Sequence, residues 1–192
     1  GIQLAKLGAL VMSGIKIKDL NLSNSSDNKA YFSVKEAVFP FSKFPEVDVL
    51  LGPEMKSTGE VMGFGKTFGE AYFKAQRAAG VILPKEGNVF ISVRDHDKEP
   101  ICEVASELID MGFKIYATSG TYNFLIDAGI ACSKINKVKD GHPHIVDMIK
   151  NNEVHLIINT TEGARSIKDS FSIRKEAQHH KISLTTTVSG AK

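Results

Sequence analysis

The sequence predicts an α/β protein in which a doubly wound parallel sheet of five strands follows a smaller, partial α+β unit. Over residues 85–192, short apolar segments alternate with segments of helical spacing, which is typical of a parallel sheet covered on both faces. Residues 1–84 contain only two strand-like and two helical segments, with no obvious closed core. A chain of 192 residues is long enough for one good core and a smaller companion.

Glycine and proline residues mark the ends of helices and strands in the first unit. Gly14 and Gly80 are natural helix ends, and Pro40 stops a strand of alternating residues. The predicted elements are a helix over 4–12, a loop over 21–28, strands over 31–39 and 59–63, a helix over 68–79 and a linker near 84–87. Because the chain opens inside a helical pattern without an initiator Met, we expect a fragment of a longer protein.

In the second unit, predicted strands alternate with predicted helices. The predicted strands cover 89–93, 113–118, 132–135, 154–159 and 182–185. Helices are expected at about 100–111, 121–128, 144–150 and 167–179. The sheet is expected to end at its fifth strand. A helix that covers the sheet would then follow Lys192.

Composition excludes several functional classes. The 24 Lys and Arg residues against 22 Asp and Glu leave a net charge of +2, too small for a strong long-range field toward nucleic acid or a membrane surface. No apolar stretch reaches the length of a membrane span. Cys102 and Cys132 lie in apolar runs, so we interpret them as reduced core residues of a cytoplasmic protein.

A ligand site is expected at the carboxyl ends of the parallel strands, where open α/β sheets bind ligands. The turn from Thr118 to Thr121 joins a strand to a helix through Gly120, and free N–H groups at a helix start favour an anion such as phosphate. The alternative is an ordinary N-cap by Thr118 or Ser119. The anion interpretation is preferred because further polar side chains follow neighbouring strands, namely Lys98, Lys137, Asn159 and Thr161.

Histidine clusters offer a second kind of candidate. His142 and His144 with Asp147 suggest a metal, but a loop and N-cap segment explains them better because no third close ligand is evident. His179 and His180 close a helix, where cationic imidazole suits the helix dipole. The sequence therefore predicts no metal site and no catalytic residue.

The residue order resembles the large chain of carbamoyl-phosphate synthase over essentially all 192 residues. The first unit resembles the end of its second ATP-grasp unit through Tyr31-Phe32-Ser33-Val34-Lys35-Glu36, residues 39–45 and residues 50–63. The second unit resembles its C-terminal allosteric domain, whose fold is shared with methylglyoxal synthase. The matches there are Ser92-Val93-Arg94, Thr118 with Gly120-Thr121, Asn136-Lys137-Val138, His142-Pro143-His144-Ile145 and Ile157-Ile158-Asn159-Thr160-Thr161.

This resemblance implies an effector site for a nucleoside monophosphate, with UMP as inhibitor and IMP as activator, or for inorganic phosphate. It assigns the phosphate to Lys98, Thr118 and Thr121. It assigns the ribose and base to Lys137, Asn159 and Thr161, and expects Ser92 to line the same pocket. Many relatives carry two arginines after the fourth strand, whereas this chain has Ala164 and Arg165, which weakens the case for phosphate affinity.

The family also binds ornithine between this domain and the ATP-grasp unit. Glu36 and Thr186 match that site, but Leu184 stands where Tyr is usual, and other acidic ligands would lie upstream of Gly1. Ornithine regulation is therefore not expected of this chain.

The parent enzyme implied by the resemblance makes carbamoyl phosphate from bicarbonate, glutamine-derived ammonia and ATP for pyrimidine and arginine biosynthesis. It uses Mg or Mn and pairs with a small glutaminase chain. The catalytic ATP-grasp residues would lie before Gly1, so this chain is expected to bind no cofactor and make no product.

Two other functions stay open. One is a methylglyoxal synthase-type lyase acting on dihydroxyacetone phosphate, which Asp95 and Lys98 would fit. Arg94 stands where that enzyme carries His, and the loop over 139–142 lacks its Gly-Gly-Asp-Gln run. The other is a scaffold with a vestigial pocket in which buried hydroxyls satisfy one another.

Overall fold

The computed structural model describes residues 3–20, 22, 31–39 and 59–192. Its first part contains α1 (Leu4–Met12), a 3-10 turn (Ile17–Asp19), β1 (Phe32–Val38), β2 (Gly59–Gly65) and α2 (Phe68–Ala78). These agree with the predicted helices and strands to within two residues. The predicted strand stop at Pro40 and most of the predicted loop over 21–28 lie outside the described residues.

The second part contains the remaining elements, which are β3 (Asn88–Ser92), α3 (Lys98–Asp110), β4 (Lys114–Ala117), α4 (Ser119–Asp127), β5 (Ser133–Lys134), α5 (Ile145–Lys150), β6 (Leu156–Asn159), α6 (Gly163–Asp169), α7 (Phe171–His179), β7 (Ser183–Thr185) and α8 (Val188–Ala191). Short 3-10 turns at Asp95–Asp97 and Val138–Asp140 follow β3 and β5. The segment over 79–87 separates α2 from β3.

Strands β3 to β7 form one parallel sheet in the order β5-β4-β3-β6-β7. This confirms the predicted five-stranded parallel sheet. The chain first builds outward from β3 through β4 to β5, then returns to the other side of β3 with β6 and β7. The order therefore reverses between β3 and β6, where Ser92 pairs with Asn159. Such a switch point opens a crevice at the carboxyl ends of the strands.

Both faces of this sheet are buried, as the continuous apolar strands predicted. In β3, Val89 and Ile91 face one core and Phe90 faces the other. The first core is completed by α3 and α4, through residues such as Ile101 and Leu125. The second is completed by α5 and α7, through residues that include Ile145, Ile149, Ile173 and Ala177.

The single helix predicted over 167–179 is wrong, because the structure has two helices that meet at Ser170. The Arg174 side chain is fully buried at this junction, and its Nη2 donates a hydrogen bond to the Ile167 carbonyl at 2.9 Å. A buried guanidinium needs such acceptors, and the end of α6 supplies one. Helix α8, which follows β7, had no assigned place in the sequence pattern.

The first part forms a two-stranded antiparallel sheet with α2 on one face. Gly63 is required there, since a Cβ would lie 2.0 Å from the Ala71 carbonyl oxygen. In the described part of the chain before β3, the buried residues are Ala71 and Ala75 of α2 and Gly63 and Gly65 of β2. Met62 and Phe64 are exposed on the opposite face.

Among the described residues, no helix combines the length and apolarity needed to cross a bilayer. Cys102 and Cys132 are free and half-buried, and burial raises the pKa of both thiols. A raised pKa keeps a thiol protonated and poorly reactive at neutral pH.

Candidate functional site

A cleft of about 790 Å³ opens at the carboxyl edge of the five-stranded sheet. Its floor contains Ser92, Thr118, Asn159 and Thr160, which come from the ends of β3, β4 and β6. One wall is the segment over 137–139, and the other is formed by α6 and the start of α7. The cleft lies at the switch point between β3 and β6, on the edge formed by the carboxyl ends of the strands, where the sequence predicted a ligand site.

Three predicted residues meet on the cleft floor. The Ser92 and Thr118 hydroxyl oxygens are 2.9 Å apart and share a hydrogen bond. Asn159 Nδ2 donates to the Ser92 carbonyl at 3.3 Å. The Asn159 Oδ1 atom is buried and has no hydrogen-bond partner in the described part of the chain. The floor therefore holds one acceptor in need of a donor beside two hydroxyls.

The start of α4 borders this floor. Thr118 occupies the N-cap position, but its side chain makes no capping hydrogen bond because it faces Ser92. The N–H groups of the first turn of a helix have no intrahelical partner, and no capping oxygen from Thr118 covers them here. Of the alternative N-caps, Thr118 holds the position without a capping side-chain bond, and Ser119 is already the first residue of α4. Gly120 leaves this turn open to a close approach.

Lys98 stands over the same turn. Its Nζ lies 3.5 Å from the position that a Cβ would take at Gly120. The same ammonium pairs with Asp95 Oδ1 at 2.7 Å. This hydrogen bond, and then the positive charge, lower the pKa of the Asp95 carboxyl, which stays ionised at neutral pH. Lys98 thus brings a positive charge to the α4 end, outside the residues that line the cleft.

Thr121, Lys137 and Thr161 occupy three different positions. The Thr121 hydroxyl is buried below the cleft, where it accepts from the Val93 N–H at 3.1 Å and can donate to the Val93 carbonyl at 3.5 Å. Lys137 lines the cleft and is exposed. Thr161 is half-exposed and is not among the residues that line it. The structure therefore joins Ser92, Thr118, Asn159 and Lys137 in one cleft, with Lys98 and Thr121 beside it.

Known proteins are similar to this chain along almost its full length. Residues 100–186 match the family model of the MGS-like domain. The carbamoyl phosphate synthase large chain of Pseudomonas syringae pv. tomato is 57% identical over 188 residues, which are 98% of this chain and 17% of that protein. The chain belongs to the carbamoyl phosphate synthase large chain family.

Two further large chains of carbamoyl phosphate synthase give the same result. The protein of Pseudomonas aeruginosa is 54% identical over 99% of this chain and 18% of its own length. That of Xanthomonas campestris pv. campestris is 50% identical over 100% of this chain and 18% of its own length. This chain therefore spans less than a fifth of the length of these relatives.

Thr160 also lies on the floor of the cleft, but it was not among the predicted site residues of this carbamoyl phosphate synthase segment. Its Oγ1 accepts a hydrogen bond from the Arg94 N–H at 3.1 Å. Burial raises the pKa of Asp97, but hydrogen bonds with Thr160 and Arg94 lower it more, so the net pKa lies below its usual value. These contacts fix the turn after β3. Thr161 was the predicted residue here, but β6 ends at Asn159 and Thr161 does not line the cleft.

The wall residues of the cleft were also missed. Lys139 pairs with Asp169 at 2.8 Å, which links the segment after β5 to α6. Lys168 and Glu162 line the same side. Lys139 and Glu162 lie outside the predicted helices and strands, and Lys168 lies in the predicted helix over 167–179, so no periodic signal marked them as cleft residues.

The two residues matching the ornithine site lie near the junction of the two parts. Tyr72 of α2 has a raised pKa, first because of burial and then because of the Glu36 carboxylate. The Tyr72 hydroxyl lies 3.8 Å from the Cβ position of Gly190 in α8. Thr186 is half-buried between β7 and α8. The structure therefore brings α2, which lies beside Glu36, close to α8, which follows Thr186 in the chain.

The His142, His144 and Asp147 cluster is a helix cap, as the preferred interpretation stated. His144 is the N-cap of α5, and its N–H donates to Asp147 Oδ2 at 2.9 Å. His142 Nδ1 lies 2.6 Å from the same oxygen. The hydrogen bond from the His144 backbone is the largest cause that lowers the pKa of Asp147.

Proposed function

We propose that this chain is a regulatory module of carbamoyl phosphate synthase and that its cleft binds a nucleoside monophosphate, UMP or IMP. The observation that supports this most directly is the Asn159 Oδ1 atom, buried without a partner among the described residues on the floor of the cleft. Leaving a buried acceptor unpaired costs about 1–3 kcal/mol, which a hydroxyl or N–H of a ligand would recover. Ribose and nucleobases both carry such donors.

The phosphate is proposed to bind at the start of α4. The backbone N–H groups of the first turn, the Thr118 hydroxyl and the Lys98 ammonium are the donors available to it. Thr121 would contribute its N–H, since its hydroxyl is already bound to the Val93 backbone. Little is lost when Lys98 turns from the exposed Asp95 to a phosphate, because water screens ion pairs at the protein surface.

The nucleoside is proposed to extend from this end along the cleft. Lys137 and Asn159 line that path, and Thr161 follows directly after β6. Inorganic phosphate alone would fill only the α4 end. A nucleotide would also satisfy Asn159, so we expect it to bind more tightly than phosphate. Leu184 departs from the family pattern at the ornithine site, so ornithine is not proposed as an effector.

The activity of the whole protein is also a proposal, since this chain spans 17% of the Pseudomonas syringae relative. We propose a cytoplasmic ligase that forms carbamoyl phosphate from bicarbonate, glutamine-derived ammonia and ATP, with Mg or Mn, for pyrimidine and arginine biosynthesis. Its partners would be the rest of the large chain and a small glutaminase chain. An effector regulates such an enzyme only if it binds one arrangement of the domains more tightly than another.

Isothermal calorimetry of the 192-residue chain with UMP, IMP, uridine and inorganic phosphate tests the cleft. Thr118→Val and Lys98→Ala each remove a bond to the phosphate, which should weaken nucleotide binding about 10- to 100-fold. Uridine, which lacks the phosphate, should respond to neither substitution. Lys114→Ala is the matched control, because this exposed lysine lies at the opposite edge of the sheet, where β4 begins.

The other two functions give different results. A vestigial scaffold would show no binding heat with any of these ligands. A lyase would release methylglyoxal from dihydroxyacetone phosphate, which a colorimetric assay detects. Nucleotide heat that is unchanged in both variants would remove Thr118 and Lys98 from the proposed site.

A further inference from the structure

We propose that Glu176, His179 and His180 form a binding site for one divalent transition-metal ion, with Zn²⁺ as the best fit. The three residues lie at the C-terminal end of α7, whose opposite end borders the cleft. Spacings of three and four residues place them on one helix face. One potential ligand atom from each lies within 4.8 Å of the others. Imidazole and carboxylate are ligands that zinc accepts.

The orientation of His180 supports this site. Its Nδ1 lies 3.4 Å from Asn152 Oδ1, an atom that can only accept, so Nδ1 is assigned as the N–H donor. In the neutral ring, the lone pair then belongs to Nε2, which faces Glu176 Oε2 at 3.8 Å. That distance is too long for a hydrogen bond. It is near the separation of about 3.3 Å between two ligand atoms of a tetrahedral zinc ion.

Asn152 has the position of a second-layer residue in a metal site. Ligand histidines commonly donate their other ring N–H to an oxygen acceptor, which fixes the tautomer and the ring orientation. Asn152 lies just after the end of α5 in a left-handed backbone conformation, with φ of 58°. It therefore reaches His180 from a separate element.

The charges around the site are mixed. The C-terminal end of a helix favours a cation, and Glu176 adds a negative charge. His179 is exposed, so a bound ion would keep a position open to water. Lys150 opposes binding, since its Nζ lies 4.0 Å from Glu176 Oε1. Removing that ammonium should therefore strengthen the binding of a metal ion.

The second cluster with suitable atoms, at His142, His144 and Asp147, fits a metal ion less well. Asp147 Oδ2 already accepts the His144 N–H, and His144 Nδ1 accepts the Asp147 N–H at 3.3 Å. A metal ion there would break the cap of α5 and would face the positive end of that helix. This cluster supplies a control.

Calorimetric titration of the full 192-residue chain with Zn²⁺ in a non-chelating buffer tests the proposal, with Co²⁺ absorption as a report of tetrahedral ligands. We expect one ion per chain. Glu176→Gln and His180→Ala should each weaken zinc binding at least 10-fold. Asn152→Gly keeps all three ligands and suits the left-handed backbone, and it should weaken binding about 10- to 100-fold.

Two variants distinguish this site from zinc binding elsewhere on the chain. Lys150→Gln should tighten zinc binding, whereas His142→Ala should leave it unchanged. If His180→Ala does not fold, by its circular dichroism melt, the exposed His179→Ala gives the same test. The proposal is overturned if the chain binds no zinc, if binding survives loss of these ligands, or if His142→Ala abolishes it.

Discussion

The two parts of the chain are stabilised in different ways. The five-stranded sheet buries both faces, with fully buried residues such as Ile91 in one core and Phe90 and Ile157 in the other. The β1–β2 sheet is covered by α2 on one face only, and Met62 and Phe64 remain exposed on the other. In the described residues of the first part, close backbone contact at Gly63 replaces a side-chain core.

This difference indicates which part carries its own stability. Burial of apolar area is the main favourable term in folding, so the second part should fold from its own cores. The proposed effector cleft lies entirely within it. The exposed face of the β1–β2 sheet is a surface that a longer chain could cover, and the family relatives are more than five times as long.

Truncation of a core residue should give the largest effect. Ile157 is 0% exposed in the centre of the sheet, so Ile157→Ala should lower the free energy of unfolding by about 2–5 kcal/mol. Met62 is 53% exposed in β2, and Met62→Ala should change it by less than about 0.5 kcal/mol. Urea unfolding followed by circular dichroism measures both. If both substitutions lowered the free energy of unfolding equally, the β1–β2 sheet would have a core that stabilises the protein as much as the five-stranded sheet does.

A second pair of variants tests the backbone contact. Gly63→Ala would push a Cβ against the Ala71 carbonyl, so α2 must shift, at a cost of about 1–3 kcal/mol. Gly69→Ala lies in the same helix, where a Cβ meets nothing within 4 Å, and it should stabilise α2 by about 0.5–1 kcal/mol. Amide hydrogen exchange in α2 reports both. Opposite signs are expected, while exchange in β3 and β6 should stay unchanged.

Much of the fold could be predicted from the sequence because it follows local periodicity. The apolar run in β6 and the alternation in β1 identify strands without any knowledge of their partners. The break at Ser170 could not be predicted this way. It depends on the buried Arg174 side chain and its bond to the Ile167 carbonyl, which is a tertiary contact.

The site, like the fold, could be predicted from the sequence only in part. Ser92 and Asn159 could be placed together, since strand ends in a parallel sheet share one edge. The direction of each hydroxyl could not be foreseen. Thr121 faces the Val93 backbone and Thr160 faces the Arg94 backbone, because those N–H groups need acceptors after β3 ends. Such pairings are decided by the packing of loops and not by the spacing of residues.

Acid unfolding should give the smallest effect and can separate the two parts again. Hydrogen bonding from the His144 backbone lowers the pKa of Asp147 at the start of α5, and a hydrogen bond from Lys74 lowers that of Glu70 in α2. A folded pKa below the unfolded value means that each carboxylate stabilises its region above about pH 4 and loses this contribution as pH falls through the folded pKa.

Asp147→Asn should therefore reduce the acid sensitivity of the five-stranded sheet, whereas Glu70→Gln should reduce that of α2 alone. Hydrogen exchange of amides in α5 and α2, measured from pH 6 to pH 3 after correction for intrinsic rates, separates the two responses. Both bonds form within single local motifs, so each substitution should act only on its own region. If Glu70→Gln changed the exchange of α5, the two parts would unfold as one cooperative unit, and the contrast between their cores would not govern stability.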